Sequence, residues 1–314
     1  MKACALLYIV PVHEIGYNNM TTSIIMNSRQ QDRDAFQKKV NGAVRLPITV
    51  RAFRKCIYDY YNQYGRDFPW RHTTSAYAIL VSEIMLQQTQ TDRVIEKYNT
   101  FLKRFPDIAK LARAHSASVL TAWQGLGYNR RALSLHAAAR IIIKKYNGIV
   151  PTAYEALRAL PGIGHYTACA IRAFAFNIPS VFIETNIRTV FIHFFFKNKN
   201  NIHDDRLIPL IEKTLDKKTP RKWYSALMDY GVMLKKHFPN PARKSRHYTK
   251  QSPFTGSNRQ LRGKVLRCIL NNKKMTVSAI IAATGDTKER VTAVVRQLEK
   301  ECFIVKNTRF YTIK

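Results

Sequence analysis

The chain has 314 residues, with 52 Lys+Arg against 20 Asp+Glu and a formal net charge of +32. So large an excess attracts polyanions, above all nucleic acid; an anionic membrane is the rival, but no apolar run approaches the roughly 20 residues of a spanning helix. The hydrophobic fraction of 46%, with 11% aromatics, suffices for real cores, and the length suits one two-lobed domain plus a small module.

Residues 1–45 have weak periodicity and read as a poorly ordered extension. Their opening ALLYIVPV follows a single lysine and lacks a clear cleavage site, so it is read as untargeted. From Arg51 the pattern turns helical, beginning with FRKCIYDYYNQY and stopping at Gly65 and Pro69. AYAILVSEIMLQQTQTDRVIEKYNTFLKRF has apolar residues at helical spacing in two stretches, broken at Gln87 to Thr91. SASVLTAWQGLGY, RALSLHAAARIIIKKY, AYEALRAL, YTACAIRAFAF, LIPLIEKTL and KWYSALMDYGVML continue the helical series, so residues 46–240 form a mostly α-helical domain. Residues 241–258, rich in Pro, Ser and basic side chains, read as a linker. Residues 259–314 read as three short helices and a hairpin turning near Asn307, a winged-helix module.

Acidic residues are absent between Asp229 and Asp286, and between Asp107 and Glu184 there is only Glu155. Such stretches suit a surface that faces phosphates. The five cysteines, Cys4, Cys56, Cys169, Cys268 and Cys302, stand far apart without a CxxC pair. Neither zinc nor iron–sulfur spacing is present, and the scattered thiols suit a reducing compartment. The histidines form no HxxxH or HExxH arrangement, so no metal ligand is assigned.

In LPGIGHYTACAI, Gly162 and Gly164 let consecutive backbone N–H groups converge on a phosphate, and the helix opening at His165 adds its positive end. A glycine-capped connection between two helices is the plain alternative. Glu184 in VFIETNIR could stabilise a cationic transition state and orient water, or serve as an N-cap or an ion-pair partner of Arg188. Glu83 lies among Ile79, Leu80, Ile84 and Leu86; burial there would raise its pKa and make it a proton donor, whereas a solvated helix-face glutamate would do neither. Gln87, Gln88 and Gln90 can bond base edges or fill a gap in a duplex, or be ordinary surface residues. In GLGYNRRA, Tyr128 beside Arg130 and Arg131 combines a stacking wedge with phosphate contacts, against a loop tyrosine packed on its own domain. Trp70 and Trp123 are read as core.

FPWR, SEIMLQQTQ, WQGLGYNRRA, LPGIGHYTACAIRAF and IETNIRTV, in this order, resemble the helix-hairpin-helix (HhH-GPD) DNA glycosylases, most closely the MutY adenine glycosylases. The resemblance spans about Phe53 to Met233. It implies an all-α, two-lobed fold with DNA across the cleft and a flipped base whose N-glycosidic bond is hydrolysed. It further implies that Glu83 protonates the leaving base, Gln88 probes the duplex gap, Tyr128 intercalates, Gly162 and Gly164 grip phosphate, and Glu184 stands at the family's catalytic aspartate.

Three departures accompany the resemblance. Tyr166 stands where bifunctional relatives carry a nucleophilic lysine, which implies a monofunctional enzyme and is shared with thymine/uracil mismatch glycosylases. Glu184 is one methylene longer than aspartate. After GVML no cysteine stands where relatives ligate an iron–sulfur cluster, so no cofactor is expected, and the winged-helix module replaces a Nudix-like domain. The expectation is a metal-free, monomeric glycosylase acting on mismatched or damaged duplex DNA, without a membrane partner, in a nucleoid or a nucleus. Adenine opposite guanine or 8-oxoguanine is the leading substrate. Thymine or uracil opposite guanine is the alternative, and a non-catalytic DNA clamp is an alternative of another class.

Overall fold

A computed structural model of the chain describes residues 49–250 and 253–314; the expected extension over residues 1–45 lies outside them. Helices form where apolar residues recur at helical spacing. Helix α1 (Val50–Tyr64) buries Phe53 and Ile57, and a 3₁₀ turn (Pro69–Arg71) leads into α2 (Ala76–Leu86). In α2 the Ser75 side chain accepts from the Ala78 N–H, and residues Tyr77 through Met85 are all buried, so this helix is covered on every side. Helix α3 (Thr91–Arg104) is amphipathic, burying Val94, Tyr98 and Phe101, with Asp92 in its first turn and Lys103 and Arg104 in its last. Short helices α4 (Ile108–Arg113) and α5 (Ser116–Trp123) precede α6 (Arg130–Tyr146). Helix α7 (Tyr154–Arg158) and α8 (His165–Phe176) flank the LPGIG turn.

Helices α2 to α8 enclose one core, around Leu80, Val81, Phe101, Trp123, Leu135 and Ile142. The other lobe joins α1 to α9 (Thr185–Phe195), α10 (Ile208–Thr214) and α11 (Pro220–His237). Phe53 there meets the rings of Phe191, Phe194, Phe195 and Trp223 edge-on at 5.1–5.8 Å. Arg54 donates to the carbonyls of Thr214 and Leu215, and Tyr58 to Asp216, so segments about 160 positions apart close the lobe. Trp123 is fully buried, as expected; Trp70 is only partly so, stacked on Phe68 at 5.1 Å. No helix among the described residues is long and apolar enough to cross a membrane.

Part of the expected linker is packed structure. Pro241–Lys244 forms a 3₁₀ turn, and Ile202 bridges to Ser245 through bonds with Lys244 and Arg246. Pro and basic residues there suggest a free segment, but Pro241 and Ala242 are buried. Beyond it, α12 (Asn258–Asn272), α13 (Val277–Thr284) and α14 (Lys288–Lys300) pack against strands β2 (Ile304–Asn307) and β3 (Phe310–Ile313). The hairpin turns after Asn307 as expected, and a two-residue strand β1 (Lys274–Met275) pairs antiparallel with β3, giving the order β1-β3-β2.

Candidate active site

A cleft of about 750 Å³ lies between the lobes, lined from α2 by Ser82 and Glu83, from α8 by Tyr166 and Thr167, and from α9 and its approach by Glu184, Asn186 and Arg188. Its volume is that of a site for a small-molecule-sized group. Glu83 is 4% exposed because α2 is enclosed on all sides. Its Oε2 accepts from the Tyr166 hydroxyl at 3.2 Å. Desolvation pushes its pKa up to about 7; the Tyr166 bond works against this and the charge of Glu184 adds to it. The solvated-face alternative for Glu83 is therefore excluded. Burial, with Glu83 and Glu184 nearby, holds the Tyr166 phenol well above its usual range.

Glu184 is the N-cap of α9. Its Oε2 accepts from the N–H groups of Asn186 at 2.6 Å and Ile187 at 3.4 Å, and its Oε1 from Asn186 Nδ2 at 2.8 Å. Arg188 does not pair with it but forks onto Asp204. Desolvation raises the Glu184 pKa, against the lowering effects of Lys235, the two backbone bonds and Arg188. Cap and cleft-lining acid are thus one residue: the bonds that start the helix also fix the carboxylate beside Glu83 and Tyr166.

The glutamine turn divides. Gln87 donates its amide to the Gly162 carbonyl and to Thr167 Oγ1, tying α2 to the hairpin. Its amide nitrogen is thus engaged inside the protein, while the residue still lines the cleft. Gln88 is exposed on the cleft wall in the left-handed region, φ 54°. In the hairpin, Gly162 has φ 78°, and a Cβ there would lie 2.7 Å from that of Ser134, so the position requires glycine. Gly164 is the N-cap of α8 without a side-chain cap bond, and exposed His165 bonds Tyr154 through Nδ1. The exposed, glycine-bounded turn leaves the start of α8 without a side-chain cap, an arrangement compatible with phosphate binding at a helix N-terminus.

Around Tyr128 the structure departs from expectation. Arg131 is 8% exposed, and its guanidinium donates to the carbonyls of Ile84, Met85, Gln87 and Gly127 and to Thr89 Oγ1. It is not a phosphate contact: its donors satisfy the last carbonyls of α2 and hold the Gly127 turn. Arg130 reaches Glu301 of the C-terminal module at 3.1 Å and covers the Phe303 ring. Tyr128, at φ 47°, accepts from Arg259 Nη1 at 2.5 Å, so its hydroxyl is held by α12.

Two features carry no sequence signal of their own. Asp229, 2% exposed, accepts from the Arg66 backbone and side chain and from Arg71, fixing the FPWR segment at the cleft wall. Lys235 donates to Asn186 Oδ1 at 2.8 Å, although in the sequence it is one cation in a basic run.

The resembled family's cluster does not fit these residues. The segment from Lys235 to Tyr248 holds no cysteine. Cys56, Cys169, Cys268 and Cys302 are distributed over α1, α8, α12 and the turn after α14, and no group of three or more His, Cys, Asp or Glu among the described residues could hold a metal ion.

A family model for "HhH-GPD superfamily base excision DNA repair protein" matches residues 81–217. Among curated proteins, the adenine DNA glycosylase of Buchnera aphidicola subsp. Baizongia pistaciae is 39% identical over 192 residues, covering 60% of this chain and 54% of that protein. The adenine DNA glycosylase of Mycolicibacterium smegmatis is 43% identical over 135 residues, covering 43% and 46%. The human adenine DNA glycosylase is 36% identical over 174 residues, covering 52% and 32%. The chain thus spans about half the length, or less, of these relatives. A solved thermostable thymine-DNA glycosylase matches with a TM-score of 0.54 and 29% identity, covering 59% of this chain and 86% of that one. Residues 81–217, the stretch that holds Glu83, the hairpin and Glu184, are thus similar to the HhH-GPD superfamily of base excision DNA repair proteins.

Proposed function

We propose that the chain is a monofunctional DNA glycosylase that hydrolyses the N-glycosidic bond of a mismatched base in duplex DNA, with adenine opposite guanine or 8-oxoguanine as its substrate. The observation that carries this reading is the trio in the cleft, a buried Glu83 with Tyr166 and Glu184 partly buried beside it. Glu83 keeps its proton to about pH 7, Tyr166 bonds it, and Glu184 is pinned as a cap within reach of the same space. A flipped base enters the cleft, Glu83 gives its proton to the departing base, and the glycosidic electron pair leaves with that base. Glu184 stabilises the oxocarbenium charge on the sugar and takes a proton from the water that attacks it. The products are free base and an abasic site. Tyr166 offers no amine for a Schiff base, so the strand stays intact.

The chain is proposed to act as a monomer, without an iron–sulfur cluster, on duplex DNA in a nucleoid or nucleus. Gly162, Gly164 and His165 would face the backbone, and Gln88 and Tyr128 the duplex at the mismatch. Removal of thymine or uracil opposite guanine is a second reading, favoured by Tyr166 and by the likeness to a thymine-DNA glycosylase. Single-turnover incubation with labelled A·G, A·8-oxoguanine, T·G and U·G duplexes, with and without hot alkali, tests both. Cleavage of the adenine duplexes only after alkali is expected. Faster release of thymine or uracil would replace the substrate, cleavage without alkali would refute monofunctionality, and tight binding without base release would make the chain a clamp.

A further inference from the structure

Asn186 stands between two charges. Its Nδ2 donates to Glu184 Oε1 at 2.8 Å, its backbone N–H donates to Oε2, and its Oδ1 accepts from Lys235 Nζ at 2.8 Å. The bonding pattern fixes the carboxamide, because a flip would set an NH₂ against the ammonium and an oxygen against the carboxylate. Helix register explains how the lysine arrives there. Gly231 lies one turn earlier on α11, and a Cβ at that position would sit 2.3 Å from the Asn186 carbonyl oxygen. The glycine lets α11 touch the start of α9, and Lys235, four positions on, shares its face.

The charges facing Glu184 come from four helices. Glu83 projects from α2, Tyr166 from α8, Arg188 from α9 and Lys235 from α11. Glu83 and Tyr166 offer no positive charge, and Arg188 is committed to Asp204. Lys235 is itself partly desolvated, so its charge is poorly screened. A partly buried carboxylate whose pKa desolvation raises is helped by a nearby cation to stay ionised.

We propose that Lys235 is a positioning residue for Glu184: acting through the Asn186 carboxamide, its ammonium keeps the Glu184 carboxylate ionised and aimed into the cleft. The inference rests on the reading of Glu184 as the acid that stabilises the sugar cation.

The test compares full-length wild type, Lys235→Met, Lys235→Gln, Lys235→Arg and Glu184→Gln on the best-cleaved duplex. Single-turnover rates are taken across pH, alongside duplex affinity and thermal unfolding. Loss of the lysine charge is expected to slow base release about tenfold or more near neutrality, to move the acidic limb of the pH profile upward, and to leave affinity little changed. Arginine should restore most of the rate and return the limb. Lys235→Gln, which keeps a hydrogen-bond donor without the charge, supplies the same readout should the methionine variant fail to fold. Unaltered rates, or a uniform loss with an unmoved limb, would overturn the proposal. Glu184→Gln separates the two failures: if it retains the wild-type rate, the reading of Glu184 falls; if it is inactive while the lysine variants behave as wild type, only the role of Lys235 falls.

Discussion

Glu83→Gln should make the protein more stable and its chemistry worse. In the unfolded chain the carboxyl loses its proton near 4.5, whereas in the fold desolvation holds it to about 7. Between these values the folded state binds more protons than the unfolded one, so stability declines as pH rises through that window. It is fully present below 4.5 and the loss is complete above about 7. At 1.36 kcal/mol per pH unit, the interval amounts to about 3 kcal/mol at alkaline pH. Glutamine has nearly the same shape, its carbonyl can accept the Tyr166 hydroxyl, and it carries no charge to bury. Urea unfolding of both proteins at pH 4.5 and pH 8 should therefore give matching stabilities at the lower pH and a variant about 3 kcal/mol more stable at the higher. The same variant should lose about 10²- to 10⁴-fold in base release, the usual contribution of a positioned proton donor. Equal stabilities at pH 8 would refute the burial argument, and unimpaired release would refute the proton-donor role.

Arg131→Met strips the donors from several buried carbonyls at the end of α2; a loss of about 3 kcal/mol or more is expected in thermal unfolding. The salt dependence of duplex affinity should not change, whereas a phosphate contact would reduce its slope by about 1. Gly162→Ala combines φ 78° with a 2.7 Å approach to Ser134, while Gly127→Ala has φ 72° and open space. The first should cost about 2–3 kcal/mol and weaken duplex binding, the second about 1 kcal/mol; equal melting losses would count against the steric argument. Glu301→Gln removes the carboxylate shared by Arg130 and Arg262, and amide exchange over residues 125–131 should accelerate. Unchanged exchange there would mean that the module does not steady the loop.

How much could be read in advance varied with where each residue's partners lie. Glu83 was legible because its neighbours in sequence, Ile79, Leu80 and Ile84, are also its neighbours in the core. Glu184 was legible as a cap because capping is local, and the fold makes it that cap while leaving its carboxylate on the cleft wall. The helices followed the apolar period, and the hairpin turn after Asn307 followed its flanking strands, but β1 has two residues, too few for alternation to show. Arg131 was misread because the groups that hold it are backbone carbonyls, which leave no trace in residue type. In a chain of +32, any loop arginine looks like a phosphate ligand. Lys235 was hidden for the complementary reason: its role depends on Asn186, 49 positions away, and on a glycine that brings the helices together.

The pairing of α1 with α10 and α11 has a consequence for how the protein is made. Phe53 and Ile57, fully buried in the finished molecule, emerge from the ribosome long before Trp223 and Tyr230, which help to enclose this lobe. The intervening stretch from α2 to α8 closes over its own near neighbours and can condense as soon as it is synthesised. Helix α1 must wait, with an apolar face in water, until about 160 further residues have been added. The lobe that contributes Glu184 is therefore the later of the two to assemble, and a nascent chain stalled before α11 would carry Glu83 and the hairpin in a folded half with no opposing wall.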